Sequence, residues 1–223
     1  AHARGALIHT DAVQAAGKIH VDVAGLGVDY LTLSAHKLGG PQGAGALYVK
    51  AGAPLEPLLS GGGQEGGRRA GTENVAAIAG FGAAAADRNL ARQWEHVAEL
   101  RDALQTRLRD ALPDVIQFCR TAPRLPTTLL IAAPVQSAAT QLMALDLAGV
   151  SVSAGSACSS GKVTPSHVVT AMGYDEAVAA RAIRISLGWN SGQGDVDAFL
   201  AAYIPFMNRT APRRDAVLAN TAQ

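Results

Sequence analysis

Two cysteines in 223 residues, Cys119 and Cys158, are too few and too dissimilar in setting for a disulfide framework. A reducing, cytoplasmic compartment is the expectation. There is no run of like charges, and 19 Lys and Arg against 18 Asp and Glu leave a net charge of +1. Neither nucleic acid nor an anionic membrane surface is an expected partner. The longest apolar stretch, 75–86, is rich in Ala and Gly, too short and too weakly hydrophobic to span a bilayer. The opening residues hold no long apolar core and no small-residue cleavage site, so they do not read as a signal peptide. The histidines His2, His9, His20, His36, His96 and His167 lack close pairing with one another or with a cysteine, which argues against zinc. No Gly-Lys-Ser/Thr follows a spaced glycine as in a Walker loop, which argues against a nucleotide triphosphatase.

What is present is a globular composition, 48% hydrophobic and 17% charged, long enough to bury a core. Through residue 50, short apolar segments at 6–10, 28–33 and 45–49 alternate with loops and an Ala-rich helical piece at 11–17. Such alternation predicts an α/β unit with a mixed or mostly parallel sheet. A loop at 54–71 is dense in glycine, backbone that approaches something or moves. A long helix is predicted from Thr72 to about Leu112, with Trp94, Val97, Leu100, Leu104 and Leu108 recurring at three and four residues. Helices of that length commonly link two domains. Strands at 115–119, 127–131, 150–153 and 182–187, with helices at 137–148, after Pro165 and at 195–207, predict a small α+β domain. A polar tail follows at 210–223.

The chemistry-bearing residues fall at the punctuation of this pattern. Lys37 lies in Ser34-Ala35-His36-Lys37-Leu38-Gly39-Gly40-Pro41, directly after a strand, where a Schiff-base lysine would be delivered into a glycine turn beside phosphate donors Ser34 and His36. An isolated lysine in a turn is ordinarily surface decoration, so companions decide. Asp11 ends a strand and could hold a pyridinium nitrogen protonated, with Gln14 one turn on reaching a ring hydroxyl; the plainer role for Asp11 is a helix N-cap. Arg68-Arg69-Ala70-Gly71-Thr72 closes the glycine loop at a predicted helix start, where Thr72 is either a phosphate donor or a cap. Cys158 lies in Gly155-Ser156-Ala157-Cys158-Ser159-Ser160-Gly161-Lys162, small and polar surroundings that suit a reactive thiolate, with Lys162 favouring its charge. Cys119, after Val115-Ile116-Gln117-Phe118, reads as a packing residue. Arg184 is the lone charge in an apolar strand and must be paired, either structurally or by a ligand carboxylate.

Taken in order, His9-Thr10-Asp11-Ala12-Val13-Gln14, Ser34-Ala35-His36-Lys37, Arg68-Arg69-Ala70-Gly71-Thr72-Glu73-Asn74, Gly155-Ser156-Ala157-Cys158-Ser159-Ser160-Gly161 and Arg184-Ile185-Ser186-Leu187-Gly188 resemble the cysteine desulfurases of the NifS/IscS type. These belong to the class V aminotransferase group of pyridoxal 5'-phosphate (PLP) enzymes. The resemblance implies an α/β PLP fold type I chain, with a partial large PLP-binding domain over 1–88 and a small C-terminal domain over 89–209 carrying the cysteine loop. It implies Lys37 as the Schiff-base lysine, Asp11 on the pyridine nitrogen, Gln14 on the ring oxygen, and Ser34 and His36 on the cofactor phosphate. Thr72 would reach the phosphate of the neighbouring subunit in a homodimer, Arg184 would clamp the substrate carboxylate, and Cys158 would accept sulfur. The implied reaction converts L-cysteine to L-alanine with a persulfide on Cys158, for delivery to an iron-sulfur scaffold or a tRNA-thiolation protein. Family members are noticeably longer, and the portion expected to precede this chain would supply a phosphate loop, a histidine stacked on the cofactor ring and an asparagine near the substrate. Alternatives are an inactive truncated homologue that keeps a dimerisation or scaffold-binding surface, and a related enzyme such as a selenocysteine lyase.

Overall fold

The computed structural model describes residues 1–87, 90–155 and 164–210. Two compact units make up the chain, Ala1–Arg92 and Gln93–Gln223. In the first, β1 (His9–Asp11) pairs in parallel with β2 (Tyr30–Ser34), and β2 pairs antiparallel with β3 (Gly45–Val49), giving a mixed sheet in the order β1-β2-β3. Register places His9 opposite Tyr30, Asp11 opposite Thr32 and Ser34 opposite Gly45. Because side chains alternate along a strand, Leu31 and Leu33 turn to one face, where they meet Ala12 and Val28. His9, Asp11, Tyr30, Thr32 and Ser34 share the other face.

The connection after β1 is a run of tight turns where a helix over 11–17 was expected. Ala15 and Ala16 N–H groups return to the Ala12 carbonyl, Lys18 and Ile19 to the Ala15 carbonyl, and Gly17 takes a left-handed φ of 74° that stops a helix from continuing. A short α1 (Val23–Leu26) follows, capped by the Asp22 carboxylate on the Ala24 amide.

The long predicted helix is two helices, α2 (Val75–Ala85) and α3 (Leu90–Ala111). After α2 comes Asp87, a poor helix former that favours caps and turns, which the apolar periodicity further along did not register. The cap of α2 is Asn74, whose side-chain oxygen accepts from the Ala77 amide at 3.2 Å, and not Thr72. Asparagine is the better Ncap residue and stands immediately before the first helical position.

In the second unit β4 (Ile116–Gln117), β5 (Thr128–Ala132), β6 (Ser153–Ala154) and β7 (Ala182–Ser186) form an antiparallel sheet in the order β4-β5-β7-β6. Helices α4 (Ala138–Leu147), α5 (His167–Ala171), α6 (Glu176–Ala179) and α7 (Gln193–Thr210) accompany it. Leu129, Ile131, Ile183 and Ile185 point to one side of this sheet and pack with Leu100, Leu104 and Leu108 of α3 and with Phe199, Leu200, Tyr203 and Met207 of α7. The opposite side carries Ala132 and Ala182 against Phe118, Val169 and Val178. A polar fastener runs through this interior. Gln141, fully buried, donates to the Gln136 and Arg181 carbonyls at 3.0 and 2.8 Å and accepts from the Tyr203 hydroxyl at 2.8 Å. Burial pushes the Tyr203 phenol well above the usual tyrosine value, so it stays a donor.

Cys119 is a correction. The strand ends at Gln117, Phe118 turns inward, and Cys119 falls outside the core at a left-handed φ of 53°, exposed and free. Its carbonyl accepts from Arg124 at 3.0 Å. The α6 turn, started by the Asp175 cap on the Val178 amide, had no apolar period long enough to announce it. Among the described residues no helix is long and apolar enough to cross a membrane.

Candidate active site

Two strand ends of the first unit bring the predicted residues together. The hydrophobic alternation that buries Leu31 fixes the opposite, polar face, so Asp11 at the end of β1 and Ser34 at the end of β2 emerge on the same side and at the same edge. Asp11 Oδ1 accepts from the Val13 amide at 2.9 Å, an Asx turn that leaves Oδ2 without a partner among the described residues. His9 Nε2 and Thr32 Oγ1 lie 3.3 Å apart across the strand pair.

The chain leaves β2 in a 3-10 turn over Ala35–Lys37. Ala35 is fully buried and anchors it, its carbonyl accepting from both Leu38 and Gly40 at 2.9 Å. Gly39 adopts a left-handed φ of 91° that favours glycine, and a β-carbon at Gly40 would crowd the Ala35 carbonyl oxygen at 3.1 Å. Ser34 Oγ and His36 Nδ1 are 2.9 Å apart, a hydroxyl and an imidazole side by side at a strand end. Lys37 is exposed and has no hydrogen bond or ion pair among the described residues.

Gln14 and Lys37 are tied to one neighbourhood through Lys18. Its ammonium donates to the Gln14 carbonyl at 3.1 Å and to Gln14 Oε1 at 3.2 Å. Desolvation, and after it the positive charge of Lys37, draws the Lys18 pKa below the ordinary lysine value. Reasoning from sequence passed over Lys18. The signal was there, since it follows Gln14 by four residues, the spacing at which side chains meet on one helical turn.

Thr72 lies exposed at the end of the glycine loop, two residues before the Asn74 cap, so its hydroxyl is not committed to α2. The loop itself is held by the Ala70 amide on the Leu59 carbonyl and by Gln64 Oε1 accepting from the Gly71 amide at 3.2 Å. In the second unit, Arg184 sits mid-β7 between Leu130 of β5 and Ser153 of β6. Its Nε is buried without a hydrogen-bond partner among the described residues. A buried guanidinium N–H lacking an acceptor is costly, and a carboxylate is a group that can satisfy such a planar fork. Cys158 and Lys162 lie outside the described residues.

The donor set of the first unit fits PLP. It holds the kinds of group that PLP takes: a carboxylate (Asp11), an amide donor (Gln14 Nε2), a hydroxyl and an imidazole (Ser34, His36) and an uncommitted amine (Lys37).

A model of the aminotransferase class-V family matches residues 1–199. A cysteine desulfurase of Klebsiella pneumoniae is 41% identical over 210 residues, covering 94% of this chain and 53% of that protein. One of Cereibacter sphaeroides is 42% identical over 211 residues, covering 94% and 54%. Among solved structures, a NifS-like protein from Rickettsia africae superposes with a TM-score of 0.82 at 37% identity, over 93% of this chain and 55% of that one. A second NifS-like protein gives 0.80 at 36% identity. The chain thus spans about half the length of the relatives it matches, and its fold is that of the NifS-like fold type I proteins.

Proposed function

The chain belongs to the class-V aminotransferase family, and from that premise we propose that it serves as a PLP-dependent cysteine desulfurase, taking sulfur from L-cysteine and leaving L-alanine. The observation that carries the reading is the shared polar edge of β1 and β2, where Asp11, Ser34, His36 and Lys37 are held by strand register and a buried alanine. Residues 1–88 would form the PLP-binding part and 89–209 the small domain bearing the cysteine loop.

Bound PLP supplies an electron sink that acidifies the substrate's Cα–H and loosens its bond to sulfur. The protein's part is to hold and aim. The Asp11 carboxylate keeps a proton on the pyridine nitrogen, Gln14 Nε2 donates to the ring oxygen, and Ser34 and His36 fix the phosphate. Arg184 Nε, without a partner among the described residues, fixes the carboxylate of L-cysteine. The Lys37 amine takes and returns the Cα proton. Cys158, as thiolate, forms the new sulfur–sulfur bond while the substrate's carbon–sulfur bond breaks, so that L-cysteine and one thiol become L-alanine and one persulfide. Thr72 serves the phosphate of a second subunit in a homodimer. The persulfide then passes to an acceptor such as an iron-sulfur scaffold or a sulfur-carrier protein, in the cytoplasm.

The test is alanine and sulfide release from L-cysteine by the purified chain. Lys37→Ala and Cys158→Ala are each expected to abolish turnover, with PLP bound covalently by wild type and by Cys158→Ala but not by Lys37→Ala. Retained sulfide release in Cys158→Ala would point to a lyase instead. A second reading draws on the exposed apolar side chains of the first unit, Leu58 at 95% and Val75 at 70%. In it the chain is an inactive homologue that binds a partner through that surface, and neither cofactor uptake nor turnover is seen.

A further inference from the structure

No step above uses Lys18, yet the structure commits it heavily. It is half-buried and lies one turn beyond Gln14 in the tight run after β1, and both donor contacts it makes go to that residue. A lysine ammonium carries donors only, so the end of the Gln14 amide that meets it must be the oxygen. Gln14 Nε2 is then the end left over, a donor with no partner among the described residues. An unrestrained glutamine on an exposed turn could present either end. Here the choice is made by a neighbour four residues away.

The same ammonium stands near a second positive charge. The charge of Lys37 reaches the half-buried Lys18 ammonium, and a cation partly withdrawn from water favours an anion bound beside it. The ring oxygen of PLP is such an anion when it loses its proton.

We propose that Lys18 is a positioning residue of the cofactor site: it locks the Gln14 amide with its N–H turned toward the cofactor's ring oxygen, and its own ammonium adds positive charge behind that amide. The proposal rests on the reading of Asp11, Gln14 and Lys37 as a PLP site. It concerns a residue that would touch the cofactor only through another.

The experiment titrates PLP into the full chain and follows the visible absorbance band in wild type, Lys18→Met, Lys18→Arg, Gln14→Leu and the Lys18→Met/Gln14→Leu double variant. Lys18→Met is expected to weaken cofactor binding about tenfold, the size of one charge-assisted hydrogen bond. The pH midpoint of the band should rise by about one unit, because removing a nearby cation makes the ring oxygen hold its proton more tightly. Lys18→Arg keeps both charge and donors and should stay within about twofold of wild type. In the Gln14→Leu background Lys18→Met should change binding far less than it does alone, since the two residues act as one unit. Wild-type binding and midpoint in Lys18→Met would overturn the proposal, as would equal losses in Met and Arg variants or full additivity with Gln14→Leu. A wild-type chain that takes up no PLP would overturn instead the site reading beneath it.

Discussion

The first unit surrounds a small core of Ala12, Val28 and Leu31, with Ile8, Val21 and Leu33 only partly covered, and its β3 is exposed from Gly45 to Tyr48. In the second unit α3, β5, β7 and α7 bury a continuous interior from Leu100 through Leu129 and Ile183 to Met207. Yet the first unit bears nearly all of the residues proposed to hold the cofactor. The contrast teaches that the chemistry-bearing half has not bought its order from packing. Its side chains are fixed by strand register, short turns and local caps, and a bound ligand would add what its core lacks, while the second unit rests mainly on a deep apolar interior.

The sharpest way to break this comparison is to remove matched core side chains. Leu104→Ala, at a site 1% exposed, should destabilise the second unit by about 3 kcal/mol, because both the transfer energy and a residual cavity count there. Leu31→Ala, 3% exposed but in a cluster of few neighbours, should cost less, since a thin core collapses around the gap. Denaturant unfolding followed by hydrogen exchange of each unit reads both changes. Equal losses would mean that the first unit is packed as tightly as the second.

Next in size is the response to ligand. PLP at about a hundredfold over its Kd should stabilise the unit that binds it by about 2.7 kcal/mol. Slower exchange is expected at amides of β1 and β2, with those of β5 and β7 little changed. Uniform slowing across both sheets would contradict the division of labour.

Legibility in the sequence follows the same line. The second unit's helices and strands were visible because a deep core imposes long periods: Val97, Leu100, Leu104 and Leu108 mark α3, and all four are buried. In the first unit the motifs around Asp11 and Lys37 were visible because glycine and strand-end residues are chemically conspicuous. What escaped were features made by one or two hydrogen bonds. The turn run after Ala12, the Asn74 cap, the Lys18 contact on Gln14 and the outward Cys119 each depend on a local backbone angle or a single donor, which leaves no repeating signature.

A polar fastener in the second unit gives a smaller and more specific effect. Tyr203→Phe removes the donor to Gln141 Oε1 and leaves that oxygen buried without a partner, a loss of about 2 kcal/mol. Gln141→Leu removes more, since the Gln136 and Arg181 carbonyls also lose their donor. A double-mutant cycle should show coupling between the two positions, and additivity would mean that the hydrogen bond contributes nothing.

The smallest predicted effect compares two carboxylates. Asp29 is 5% exposed and accepts from the Ile8 amide at 2.8 Å, with His2 Nε2 at 2.8 Å and Lys50 at 3.8 Å. The hydrogen bond with His2, then that from Ile8, holds its carboxyl below the usual carboxylate range. Asp197 in the second unit is held low as well, by Arg107 and then Gln193, but stands half exposed. A carboxyl whose folded pKa is depressed stabilises the fold above its unfolded value, about 4, and that contribution disappears as pH falls through the folded value. Both units should therefore lose stability in acid, with Asp29→Asn flattening the profile of the first unit and Asp197→Asn that of the second. Salt separates them: raising ionic strength should erase the Asp197 contribution, whose charges are bathed in solvent, and leave more of that from Asp29, a little-exposed carboxylate whose partners include a backbone amide. Thermal midpoints against pH at low and high salt measure this. If salt erased both alike, the carboxylate of Asp29 would be no better sheltered than a surface charge, and the first unit would have no buried polar anchor to offset its thin core.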